Sequence, residues 1–209
     1  MTGKVFFVRH GETDMNRREC LQGHIDCELN EQGIKEAQHS ARLFEKAGIG
    51  FERVYSSPLK RAVMTAGIIS GGQQVISDRQ MIEMKFGRYE GMPYSEIDEK
   101  MWAFIHDPEN VAPPEGVEPV QALTKRTGEF LSRLMADDIN GNVLVVTHGI
   151  ALRSVLWNLS GEGERSRVWG LPIKNCIVYE LVIENGEVKG LRQAHELCVA
   201  AESDTSKAF

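Results

Sequence analysis

No segment of this sequence approaches the ~20 consecutive apolar residues of a membrane-spanning helix. Lys4 is followed by a run of only four apolar residues, too short for the core of a signal peptide. The expectation is a soluble, cytoplasmic protein with no membrane partner. Cysteine is scarce: Cys20, Cys27, Cys176 and Cys198 form no CxxC pair and no metal-ligand spacing. That argues for reduced thiols rather than disulfides or a structural zinc site. Basic residues are outnumbered, 24 against 30 acids for a formal charge of -6, which excludes a broad nucleic-acid or anionic-membrane surface. Any anion must be held locally, by a few arginines that the fold brings together. Repeats and low-complexity segments are absent, and 209 residues with 42% hydrophobic content suit one well-buried core rather than two.

What is present is a repeated strand grammar. Val5-Phe6-Phe7-Val8 stops abruptly against Arg9-His10-Gly11-Glu12-Thr13, and Val143-Leu144-Val145-Val146 stops against Thr147-His148-Gly149. Short β-branched and aromatic runs of this kind read as strands covered on both faces, and in open α/β sheets ligands sit beyond the carboxyl ends of such strands. If the two are parallel neighbours, both imidazoles emerge at one edge of the sheet.

Between and after them the chain alternates. Residues 14 to 29 read as loop. Asn30 reads as an N-cap, with Ile34, Ala37, Ala41 and Phe44 at helical spacing before Gly48. Arg53-Val54-Tyr55-Ser56 reads as a strand, followed by a helix on Ala62, Val63, Ala66 and Ile69, then a short strand near Val75-Ile76. Residues 81 to 91 have no clean period and read as loop, 94 to 105 as a helix, and 107 to 119 as a proline-rich, acidic connection. Pro119 suits the first turn of a long helix through about Met135, and a further helix runs from Ile150 to Leu159. Residues 177 to 183 and 188 to 194, joined by Asn185-Gly186, read as a β-hairpin. The fold expected is a single α/β domain over 1–209: a three-layer sandwich with a mainly parallel central sheet flanked by helices. It carries a small helical cap insertion at about 84–118, a C-terminal β-hairpin and a mobile tail at about 200–209.

Arg61 falls in the first turn of a helix that follows a strand. A cation there opposes the positive helix N-terminus unless an anion lies between them. Arg9, His10, Arg61 and His148 would then converge. Two guanidiniums offer bidentate donors and two imidazoles a donor and a nucleophile, a set suited to a phosphoryl group.

Several stretches together are highly specific: Arg9-His10-Gly11-Glu12-Thr13, Leu21-Gln22-Gly23, and Ser56-Ser57-Pro58-Leu59-Lys60-Arg61-Ala62. Glu83 before Phe86-Gly87-Arg88-Tyr89-Glu90-Gly91, and Thr147-His148-Gly149, complete the set. In this order they resemble the histidine phosphatase superfamily, which includes cofactor-dependent phosphoglycerate mutases and smaller broad-specificity and cobalamin-pathway phosphatases. The resemblance implies that His10 is the nucleophile that accepts the phosphoryl group. Arg9, Arg61 and His148 would bind its oxygens, with Asn16 and Gly149 adding contacts, and Glu83 would be the general acid for the leaving oxygen. Gln22, Gly23, Glu12, Arg88 and Tyr89 are the substrate-facing positions it suggests, Tyr89 standing where the family tends to have tryptophan. It also implies a small phosphorylated metabolite as partner, no cofactor and no metal, with a homodimer compatible.

The residues themselves leave other readings open. A metal held by His10 and His148 is disfavoured by Arg9, which repels a cation, and by the lack of a third ligand at suitable spacing. A phosphoglycerate mutase would need extra cations in the cap, yet Gly91 to Thr147 holds only Lys100, Lys125, Arg126 and Arg133. A non-catalytic phosphate-binding domain would be expected to lack a histidine or the acid. His24, His39, His106 and His195 read as ordinary surface or core residues.

Overall fold

A computed structural model describes residues 2–137 and 139–198; the tail expected at 200–209 lies outside the described residues. In chain order the elements are β1 (Thr2–Arg9), α1 (Asp14–Arg17), α2 (Glu31–Lys46), β2 (Arg53–Ser56), α3 (Lys60–Ile69), β3 (Ile76–Ser77), α4 (Glu99–His106), α5 (Val120–Ala136), β4 (Asn142–Thr147), α6 (Gly149–Leu159), α7 (Arg165–Val168), β5 (Val178–Glu184) and β6 (Glu187–Gln193). The strands form a mixed sheet in the order β3-β2-β4-β1-β5-β6. Its first four strands are mutually parallel, while β5 and β6 continue it antiparallel beside β1. The hairpin is thus part of the sheet, and Asn185 and Gly186 both take the positive φ that a type I′ turn requires.

The apolar runs are buried because the sheet is covered on both sides. Along β1 and β4 alternate side chains point to opposite faces. Val5, Phe7, Val143 and Val145 pack with Phe130 and Leu134 of α5 and Leu152 and Val155 of α6. Phe6, Val8, Leu144 and Val146 pack with Phe44 of α2 and Ala62 and Ala66 of α3. A third cluster lies over the carboxyl edge, where Met84, Phe86, Tyr89, Met101 and Phe104 meet Leu123, Ala151 and Trp169. The segment expected to form a cap therefore packs against α5 and α6.

Three local expectations are corrected. Residues 14–29 are not wholly loop: Thr13 caps α1 by accepting from the Asn16 amide at 3.1 Å, and the Asn16 side chain accepts from the Thr13 amide in return. The helix expected from 94 begins at Glu99, because Ile97 is extended and Asp98 is the true N-cap, accepting from Met101 N at 2.9 Å. Only a single 3₁₀ turn occupies Tyr94–Glu96. Pro119 is likewise extended and precedes α5 rather than opening it. No helix among the described residues is long and apolar enough to cross a membrane.

Candidate active site

The register between β1 and β4 sets the site. Arg9 is paired with Thr147 across the parallel ladder, so His10 and His148 leave the sheet at the same level. Their rings stand 5.1 Å apart, centroid to centroid, at 61°. His10 is pinned at both ends of its backbone, its N–H donating to Thr147 O at 3.0 Å and its carbonyl accepting from Asn175 Nδ2 at 2.8 Å. The next amide, of Gly11, donates to Thr65 Oγ1 at 3.1 Å. Gly11 has to be glycine for packing reasons: a Cβ there would lie 2.5 Å from the carbonyl oxygen of Gly33 in α2. Turn and helix meet backbone to backbone.

The hydrogen bonds assign the tautomers. His10 Nδ1 lies 2.7 Å from Gly11 O, a carbonyl that can only accept, so Nδ1 carries the proton and Nε2 has the free lone pair. Arg61 Nε donates towards that Nε2 at 3.3 Å and towards His148 Nδ1 at 3.2 Å, a three-centre contact between the two rings. With Nδ1 accepting, His148 donates from Nε2 to Ser57 Oγ at 2.7 Å. Both imidazoles are held well below the usual histidine range, first by burial and then by the charges of Arg61 and, further out, Arg9. His10 is accordingly a neutral imidazole with its Nε2 lone pair towards Arg61.

Arg61 is fully buried. Its Nη1 donates to Ile25 O at 2.7 Å and its Nη2 to Gly23 O at 2.8 Å. The guanidinium expected to present a bidentate fork instead ties both histidines to the loop after α1. Arg9 is differently placed: Nη1 donates to Ile173 O, while its buried Nε has no hydrogen-bond partner. An orphaned, buried guanidinium N–H is costly unless a ligand meets it. Glu83 sits at the opening of α6, where Oε1 accepts from Met84 N at 2.8 Å and Ala151 N at 3.0 Å and Oε2 from Ile150 N at 3.2 Å. The helix N-terminus that would otherwise hold an anion is thus partly taken by this carboxylate.

Arg9, His10, Asn16, Gln22, Gly23, Arg61, Glu83 and Gly149 all line one cavity of about 290 Å³. Asn16 Oδ1 is committed to Thr13, at 3.1 Å from its amide and 3.0 Å from its hydroxyl, which leaves Nδ2 outside that capping arrangement. His148 closes the floor behind Arg61 rather than lining the cavity.

A family profile, the histidine phosphatase superfamily (branch 1), matches residues 5–195. The chain belongs to that family. It is 36% identical over 159 residues to phosphoglycerate mutase-like protein 4 of Arabidopsis thaliana, covering 73% of this chain and 69% of that one. It is 34% identical over 151 residues to the adenosylcobalamin/alpha-ribazole phosphatase of Salmonella typhimurium, covering 69% and 73% of the two chains. Among solved structures, a phosphoserine phosphatase mutant from Entamoeba histolytica in complex with phosphoserine superposes with a TM-score of 0.78 at 25% identity, covering 93% and 98%. The chain is an enzyme of the histidine phosphatase family, with a six-stranded sheet that matches its structural neighbours.

Against that family pattern, three of the suggested substrate positions lie elsewhere in this member. Glu12 accepts from Arg17 and from Asn30 Nδ2, bracing the start of α2. The turn at Gly11 carries it away from the cavity. Tyr89 is buried and donates to Asp98 Oδ2 at 2.8 Å, and the exposed Arg88 reaches the same carboxylate at 2.8 Å. Both fasten the N-cap of α4 instead of facing a substrate. Conversely, four residues given no role from sequence support the site. Ser57 sets the His148 ring and Asn175 the His10 carbonyl. His24 Nε2 at 2.9 Å and Arg126 Nη2 at 3.0 Å both hold the carbonyl of Glu83. Ser57 lies within the 56–62 motif at a strand's end; for the other three the only signal is tertiary.

Proposed function

We propose that this enzyme hydrolyses small phosphomonoesters through a phosphohistidine intermediate on His10. The observation that carries the reading is the neutral His10, its Nδ1–H tied to Gly11 O and its Nε2 facing Arg61, beside the unpartnered N–H of Arg9. In the first step Nε2 attacks phosphorus and the bond to the ester oxygen breaks, Glu83 supplying the proton that leaves with the alcohol. In the second, water attacks the phosphohistidine, Glu83 takes the water's proton, and the N–P bond breaks to release phosphate. Arg9, Arg61, Asn16 and the Gly149 amide stabilise the charge on the transferring group. For His148 to donate to it, the proton must sit on Nδ1, which requires Arg61 Nε to give up its contact there and the Ser57 hydroxyl to donate to Nε2. No step calls for a metal.

Hydrolysis is favoured over the mutase alternative by where the cap cations go. Lys125 pairs with Glu129, Arg126 with Glu118 and Arg133 with Asp78. None of these, nor Lys100, lines the cavity, so the cap supplies no cation for a second anionic group. The four thiols are free, in keeping with work in the cytoplasm. The test is His10→Ala with 4-nitrophenyl phosphate: hydrolysis should be lost, together with acid-labile, base-stable phosphate labelling. Survival of either sinks the nucleophile assignment, and rapid interconversion of phosphoglycerates would reverse the choice of reaction.

A further inference from the structure

Beyond its phosphoryl floor the cavity has a distinct chemistry. Phe86, Tyr94, Trp102, Ile105, Trp169 and Ile173 form its walls. On the cap side the rings are in mutual contact: Tyr94 and Trp102 have centroids 6.1 Å apart, Trp102 and His106 5.5 Å. The charged lining residues, imidazoles aside, are Arg9, Arg61, Glu83 and Arg153. Arg153 directs Nε and Nη2 at Leu171 O, at 2.9 and 2.7 Å. Among the described residues, therefore, an ammonium on the leaving group would meet no carboxylate except the proposed acid, and beyond the arginines of the phosphoryl floor a leaving-group carboxylate would find only Arg153, two of whose three nitrogens are already bonded to backbone. Leaving either charge desolvated and poorly paired is expensive.

Resting on the phosphatase reading, we infer that the preferred substrates are phosphomonoesters of uncharged, ring-bearing alcohols, the ring lying against Trp102, Ile105 and Trp169. A cavity of about 290 Å³ is at the small end for ligand sites. It suits the phosphoryl group plus one compact ring system.

Alkyl esters keep leaving-group acidity comparable, so the comparison is 2-phenylethyl phosphate against phosphoserine, 3-phosphoglycerate and glycerol 3-phosphate. With the intact protein, kcat/KM for the phenylethyl ester should exceed each of the others by at least about tenfold, as burial of a ring demands. Trp102→Ala and, separately, Ile105→Asp should shrink that ratio severalfold. Turnover without preference, or with phosphoserine or 3-phosphoglycerate favoured, overturns this inference while leaving the phosphatase reading intact. An unchanged ratio in both variants also overturns it. No turnover of any ester, with no labelled histidine, overturns both.

Discussion

Replacing Arg126 by methionine probes how the proposed acid is held. Its guanidinium reaches Gln80 O at 2.7 Å, Ile82 O at 2.6 Å and Glu83 O at 3.0 Å, and grips both oxygens of Glu118 at 2.8 and 3.0 Å. The two side chains are 17% and 16% exposed. Breaking a fully buried ion pair costs about 3–5 kcal/mol, and partial solvent access brings the expected loss to about 2–3 kcal/mol. Methionine preserves much of the bulk but leaves the Gln80 and Ile82 carbonyls without their donor and takes one donor each from the Glu83 carbonyl and the Glu118 carboxylate. The loop carrying Glu83 then keeps only the His24 contact at its carbonyl. Since positioned general acids contribute about 10²–10⁴-fold, partial misplacement should lower kcat about 10–100-fold for an alkyl phosphate. A 2,4-dinitrophenyl ester, whose leaving group needs little protonation, should lose far less. Urea unfolding gives the stability change, and kcat for the two esters is measured where the variant remains folded. Equal losses on both esters, or none on the alkyl ester, would refute the positioning argument; Arg126→Lys should fall between.

Acid should destabilise the protein through its two buried imidazoles. Their folded pKa values lie well below the ordinary 6.5 through burial and Arg61, so below about pH 6.5 the unfolded chain takes up protons that the folded one refuses. Each adds a loss of up to about 1.4 kcal/mol per pH unit until its folded pKa is passed, and urea midpoints in His10→Asn should show about half of that slope. Gly33→Ala, in the first turn of α2, would ordinarily help a helix. Here its Cβ would fall 2.1 Å from Glu12 O, so thermal unfolding should show a loss of about 1–3 kcal/mol, and any gain would contradict the close packing of turn and helix. EDTA should leave turnover unchanged, and activity lost to it and restored by magnesium would reject the metal-free mechanism.

The amino-acid sequence by itself determined the architecture's outline. Doubly buried strands such as Val5–Val8 and Val143–Val146 announce themselves as apolar runs, because a strand covered on both faces has no polar side. The Asn30 cap and the Asn185-Gly186 turn were equally legible, since each depends on residues within a few positions of one another. His10, His148, Arg9 and Arg61 stood out for the same reason, at or just beyond strand ends. What only the tertiary structure decided are relations between distant segments: that Arg61 bridges the histidines and that Glu12, Arg88 and Tyr89 turn away. His24, Arg126 and Asn175 came to support the site in the same way. A side chain's direction at a loop depends on which remote carbonyl or carboxylate it meets there, and local sequence carries no periodic signal for such a meeting.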